Sequence, residues 1–172
     1  MKTANIILAG FMGTGKTAVG KKLAEKLYRS FVDMDALIEE QAGKSITRIF
    51  AEHGEPHFRA IETNLVEKLS QQQEQVIATG GGIVLNPENI RNFSRTGFVV
   101  CLKTSPDEII RRVSGSRHRP LLEQKDRSAR VHDLLTKRKP YYDAIQNQVD
   151  TTGLSVDDVA NKIIVLFQKY AN

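Results

Sequence analysis

The sequence predicts an α/β fold in which a parallel sheet is covered by helices on both faces, and three observations carry that expectation. Short apolar runs recur at 4–9, 30–34, 75–79, 97–102 and, less markedly, 148–150, each too short for a helix. Segments with helical spacing lie between them, the alternation that builds parallel strands joined by crossover helices. The 172 residues, 40% hydrophobic and 26% charged, suffice for one core and have the balance of a folding chain rather than a disordered one.

Each element has its own signature. The run at 4–9 leads into a glycine-rich turn at 10–15 and then into helical spacing at Val19, Leu23 and Leu27. The strand at 30–34 precedes helical sequence that continues to 72, with breaks expected near Gly43 and near Gly54-Glu55-Pro56. In its last section Phe58, Ile61, Leu65 and Leu69 form one buried stripe. The third strand ends in Gly80-Gly81-Gly82, and the fourth is again followed by helical sequence. After the fifth, Ser155 stands three residues before Asp158 as an N-cap, and Val156, Val159, Ala160, Ile163, Ile164 and Phe167 share a helical face. The stretch 114–130 lacks apolar patterning and is expected to be a mobile surface segment. No repeat or linker interrupts residues 1–172, so a single domain is expected.

Lysine and arginine exceed aspartate and glutamate by five, a mildly positive field that favours small anions such as phosphates and carboxylates. The basic residues are scattered and aromatics reach only 6%, which argues against nucleic acid as a partner. The single cysteine, Cys101, has no partner for a disulfide or a Cys-rich zinc site and lies in an apolar run, as a buried strand residue would. The N-terminus has no signal-peptide pattern and no apolar run approaches membrane-spanning length, so no membrane partner and a cytoplasmic location are expected.

The chemistry begins at Gly10-Phe11-Met12-Gly13-Thr14-Gly15-Lys16-Thr17, which satisfies G-x-x-x-x-G-K-[ST] after a strand and at the opening of a helix. Glycines there let backbone N–H groups converge on phosphate oxygens, and the positive end of the helix favours the anion. Gly13, Thr14, Gly15, Lys16, Thr17 and Ala18 are the expected nucleotide-binding residues, with Lys16 reaching the β- and γ-phosphates of ATP and Thr17 placed for Mg²⁺. Such a loop serves motors, switches and small-molecule kinases alike.

Charged residues just beyond the other strands are the next candidates, because ligands of such sheets lie past the strands' carboxyl ends. Asp33 and Asp35 would point to one side if their strand persists, one near Mg²⁺ and the other at an acceptor hydroxyl; the same pattern also makes turns and helix caps. Arg59 and Glu62 are three apart on a helix, either an exposed ion pair or a two-pronged carboxylate donor held by its partner. His57 is expected at the surface. Gly80, Gly81 and Gly82 suggest close approach of a ligand to the backbone, or a sharp turn. Arg111 and Arg112 end a helical segment, and Arg119, in the unpatterned stretch, is placed for a lid that neutralises the transferring phosphoryl group and excludes water. Lys137-Arg138-Lys139-Pro140-Tyr141-Tyr142 ends another helix.

Taken in order, these segments resemble the shikimate kinases, monomeric members of the nucleoside-monophosphate-kinase group, nearly end to end: G-x-M-G-x-G-K-T from Gly10, D-x-D at Asp33 and Asp35, G-E-x-x-F-R-x-x-E from Gly54, G-G-G from Gly80, R-P-L-L from Arg119 and K-R-x-P-x-Y from Lys137. The resemblance implies a three-layer α/β/α P-loop fold with a five-stranded parallel sheet in order 2-3-1-4-5, a substrate-binding segment at 33–62 and a lid at 114–126. It implies Mg²⁺-dependent transfer of the ATP γ-phosphoryl group to the 3-hydroxyl of shikimate, on the way to chorismate. Asp33 would belong to the Mg²⁺ shell, and Asp35 would bind the ring hydroxyls and act as base. Arg59 and Arg138 would clamp the carboxylate, with Gly80, Gly81 and Gly82 lining the pocket. Lys16 and Arg119 would serve the phosphates, and Arg112 would lie beside adenine. After Asp150-Thr151 the family often has a proline, where this chain reads Thr152-Gly153-Leu154-Ser155, so no adenine contact is assigned there.

Two other readings share the phosphate loop. A gluconate or other sugar-acid kinase gives no reason for D-x-D, the Phe-Arg helix and three glycines together. A guanine switch would usually carry N-K-x-D, and Asn161-Lys162-Ile163-Ile164 lacks the aspartate.

Overall fold

A computed structural model describes residues 4–113 and 127–171. Its strands are β1 (Asn5–Gly10), β2 (Ser30–Asp33), β3 (Gln75–Ala78), β4 (Gly97–Lys103) and β5 (Asn147–Asp150). All pairings are parallel, in the order β2-β3-β1-β4-β5, with Ile7 opposite both Ile77 and Val99. The helices are α1 (Lys16–Leu27), α2 (Met34–Ala42), α3 (Ile46–Ser70), α4 (Pro87–Thr96), α5 (Pro106–Val113), α6 (Arg127–Asp143) and α7 (Val156–Tyr170), with a 3₁₀ turn at Ile83–Leu85. This is the expected sheet order and the expected alternation.

Strand side chains alternate between faces, so β1 feeds two cores. Ile6 and Leu8 pack with Leu23 of α1 and Ile163 of α7 on one side of the sheet. Ile7 and Ala9 pack with Met34, Phe58, Phe93 and Val131 on the other. Two covered faces explain why β1 is buried at every position and reads as a continuous apolar run. Cys101 belongs to the second core, 2% exposed, and burial pushes its thiol up to about 11, which leaves it an inert packing residue. Among the described residues no helix is long and apolar enough to cross a membrane.

Three local expectations change. The 30–34 strand stops at Asp33, because the Asp33 side chain accepts from the backbone N–H groups of Asp35 and Ala36 and starts α2 there. Residues 127–130, expected in a surface segment, form the first turn of α6; 114–126 lie outside the described residues. Val156, expected on the buried face of α7, is 41% exposed as the helix's first residue beside the exposed cap Ser155, whereas Val159, Ala160, Ile163 and Phe167 are buried.

The break expected near Gly54 is a kink inside α3. Gly54 has φ 79° and ψ 170°, a conformation from which other residues are largely barred. Pro56 then falls in the first turn of the second segment, where its missing N–H is not needed. The kink lets the two helical segments of α3 present Phe50 and Arg59 to the same cleft.

Candidate active site

The carboxyl ends of β1, β2 and β3 open into a cleft of about 600 Å³. At its floor the phosphate loop turns through Gly13 (φ 79°) and Gly15 (φ 98°), which are conformations that glycine adopts without steric penalty. Gly15 caps α1 without any side-chain hydrogen bond, and no acidic residue occupies the helix's first turn. The N-terminus of α1 therefore faces the cleft without a side-chain cap or an acidic residue to offset it, a ready anion site. Lys16 Nζ lies over the loop and donates to the carbonyls of Gly10 (2.7 Å) and Phe11 (2.9 Å). Gly13, Gly15, Lys16, Thr17 and Ala18 line the cleft. Thr14 is turned inward, 1% exposed, with its hydroxyl donating to Phe11 O at 2.8 Å, so only its backbone is available to a nucleotide.

Asp33 has two tasks on two oxygens. Oδ1 caps α2, and Oδ2 accepts from the Thr17 hydroxyl at 2.8 Å. The helix-cap and metal-side readings of this residue are therefore compatible. Asp35 does not follow Asp33 along a strand; it sits in the first turn of α2 and still lines the cleft.

Asp35 meets Glu62 at the triple glycine. A Cβ placed on Gly80 would stand 2.8 Å from both Asp35 Oδ1 and Glu62 Oε1, and one on Gly82 would fall into the Arg59 guanidinium. None of the three has positive φ, so crowding by α2 and α3 side chains explains the first and third glycines better than turn geometry does. A Gly80→Ala variant should therefore fold and displace the two carboxylates instead. The expected result is a rise of about tenfold in acceptor KM with ATP KM unchanged, read from steady-state kinetics.

Arg59 is held between two carboxylates of its own helix. Nη1 donates to Glu62 Oε2 at 2.5 Å, and Nε and Nη2 donate to Glu55 Oε1 at 3.1 and 2.8 Å. Glu62 is only 1% exposed, and its Oε1 has no hydrogen-bond partner among the described residues. Burial pushes its carboxyl above the ordinary range, with Arg59 opposing and Asp35 adding to the rise. Burial pulls the Arg59 guanidinium down, but Glu62 and Glu55 outweigh it and hold it above its usual value. The helical ion pair and the cleft-facing cation are thus the same residue.

Arg138, near the end of α6, is 5% exposed and reaches the cleft beside Gly81, while Lys137 and Lys139 turn outward to pair with Asp133 and Asp143. Arg112 bridges three elements, donating to Glu108 Oε1 (2.6 Å), Gly13 O (3.2 Å) and Thr151 Oγ1 (3.4 Å). Hydrogen bonds from Arg111 and Arg112 hold the Glu108 carboxyl at about 2, so this bridge stays charged at any working pH. Beyond it the Thr152 hydroxyl lies 2.9 Å from that of Thr104 and accepts from Ser105 N at 3.1 Å. Arg119 lies outside the described residues. His57 is exposed, as expected, with its ring centroid 4.8 Å from that of His53.

Sequence reasoning did not place Met12, Ile46, Phe50 and Phe58 in the cleft's apolar wall or Thr79 at its base. Ile46 and Phe50 are one helical turn apart, a detectable pattern, but Phe50 joins Phe58 (ring centroids 4.9 Å) only across the Gly54 kink.

A nucleotide loop and a second cluster of cations and carboxylates, sharing one cleft on a parallel sheet, define a P-loop kinase that phosphorylates a small acidic acceptor. The family model for shikimate kinase matches residues 12–168. A shikimate kinase of Caldanaerobacter subterraneus subsp. tengcongensis is 44% identical over 165 residues, covering 96% of each chain. Among solved structures, shikimate kinase from Acinetobacter baumannii in complex with shikimate superposes with TM-score 0.92 at 36% identity, covering 97% of this chain and 94% of that one. A gluconokinase from Sinorhizobium meliloti shares the fold alone, with TM-score 0.62 at 16% identity. This chain belongs to the shikimate kinase family.

Proposed function

We propose that this chain transfers the γ-phosphoryl group of ATP to the 3-hydroxyl of shikimate, acting as a monomer in the cytoplasm. The observation that carries the reading is the convergence, in one cleft, of an uncapped helix N-terminus with Lys16 and of Asp35, Arg59 and Arg138. The first group suits a polyphosphate. The second suits a hydroxylated ring that bears a carboxylate.

Phosphoryl transfer needs little covalent assistance from protein groups, so positioning and charge dominate. The α1 N-terminus and Lys16 hold the β- and γ-phosphates. Arg59 and Arg138 grip the acceptor's carboxylate, which fixes the ring in the cleft. Asp35 then aims the hydroxyl at phosphorus and accepts its proton as the bond forms. Arg112 lies on the adenine side; the expected lid, 114–126 with Arg119, lies outside the described residues. Residues 33–62 form the acceptor-binding segment.

The donor set suits Mg²⁺: Thr17 and Asp33 offer hard oxygens beside the phosphate loop, and one or two protein oxygens completed by phosphates and water are the usual Mg²⁺ environment. When bound there, the ion would neutralise charge developing on the β- and γ-oxygens.

A coupled ADP-release assay with shikimate, gluconate or no acceptor tests the reading. Turnover with shikimate alone is expected. Equal or faster turnover with gluconate would move the chain to the sugar-acid kinases, and vigorous hydrolysis without acceptor would favour a switch or motor.

A further inference from the structure

Tyr142 lies one helical turn beyond Arg138 on α6 and points the same way. It is 7% exposed, and its ring meets Phe11 of the phosphate loop edge-on, with centroids 6.3 Å apart. Its hydroxyl donates to the Gly81 carbonyl at 2.5 Å. The Arg138 guanidinium lies beside the same glycine, its Nη1 3.9 Å from where a Gly81 Cβ would stand.

We propose that Tyr142 is a positioning residue for the acceptor: its hydroxyl docks α6, and with it Arg138, on the triple-glycine turn and so fixes where the acceptor's carboxylate is held relative to the phosphate loop. The proposal rests on the function assigned above.

The geometry leaves few alternatives for this side chain. If Tyr142 only filled space, phenylalanine would serve, because the contact with Phe11 uses the ring and not the hydroxyl. The hydroxyl instead ties α6, which also carries Arg138, to Gly81 after β3, two segments distant in the chain. Burial pushes the phenol up to about 12, so it remains a donor throughout the working range.

Tyr142→Phe separates this role from packing. The expected result is a shikimate KM raised about tenfold, with ATP KM and kcat within about twofold of the parent. With an acceptor analogue lacking the carboxylate, parent and variant should behave alike, since the lost hydrogen bond acts through Arg138. An unchanged shikimate KM, or equal losses for ATP and shikimate, would overturn the proposal. A parent enzyme inactive on shikimate would instead overturn the assigned function. Should the variant not fold, the parent labelled with 3-fluorotyrosine decides. Tyr28, Tyr141 and Tyr170 are 98%, 41% and 50% exposed, so the Tyr142 fluorine resonance is identified by its protection from solvent-borne relaxation agents. That resonance should shift on adding shikimate and far less on adding a non-hydrolysable ATP analogue; no shift with shikimate refutes the proposal.

Discussion

Lys16→Ala is expected to lower kcat by about 10³-fold while leaving shikimate affinity within about twofold, measured by coupled assay and by calorimetric titration. The Lys16 ammonium is bonded to the carbonyls of Gly10 and Phe11 and sits over the place where the loop would receive phosphate. ATP offers the ammonium charged oxygens in exchange for neutral carbonyls, and charge-assisted hydrogen bonds are about twice as strong. The gain is largest as negative charge builds between the β- and γ-oxygens, so its loss falls on turnover more than on binding. Lys16→Arg should not rescue the activity, because a planar fork cannot reproduce a compact point charge inside a loop built to its dimensions. Folding should survive. The loop's shape is also held by the Thr14 hydroxyl on Phe11 O and by the left-handed Gly13 and Gly15. A Lys16→Ala enzyme that retains most of its kcat would remove this residue from the phosphate site.

The phosphate loop was legible because all its determinants are contiguous: eight residues fix the turn, the helix start and the ammonium together. The rest of the site depends on encounters between distant segments. Arg59 and Glu62 could be paired from their spacing, but the burial of Glu62 follows from the Gly54 kink and from packing against the loop after β3, neither of which periodicity reports. Asp33 and Asp35 were expected on one side of a persisting strand, and Asp33 itself ends that strand by capping α2. The glycines at 80–82 were read as making room for a ligand, and the structure adds that they make room for Asp35, Glu62 and Arg59. Tyr142 stood beside a recognised arginine with no sign that its hydroxyl reached a carbonyl 61 positions away.

Arg59→Ala should weaken shikimate binding by about 100-fold, with ATP affinity nearly intact, because it would remove one of the two cations proposed to grip the carboxylate. It should also destabilise the protein in a way that depends on pH. Glu62, 1% exposed, would lose the guanidinium bonded to its Oε2 while its Oε1 already lacks a partner among the described residues. Arg138 remains nearby and Arg59 itself is 22% exposed, so the loss should be about 2 kcal/mol, below the full cost of breaking a fully buried pair, and should lower Tm by roughly 4–8 °C. Glu62 is already raised by burial, and removing Arg59 raises it further. A raised carboxyl favours folding while it is protonated and ceases to do so as pH climbs through its folded value. The Tm gap between parent and variant should therefore be small below the unfolded carboxyl value of about 4.3 and widen towards neutrality. Arg59→Ala combined with Glu62→Gln separates the two roles. The neutral amide removes the stranded charge, so the double variant should regain most of the neutral-pH Tm and lose the pH dependence, yet still bind shikimate poorly. If the double variant also recovers shikimate affinity, Arg59 serves only as the counter-ion of Glu62, and the clamp assignment fails.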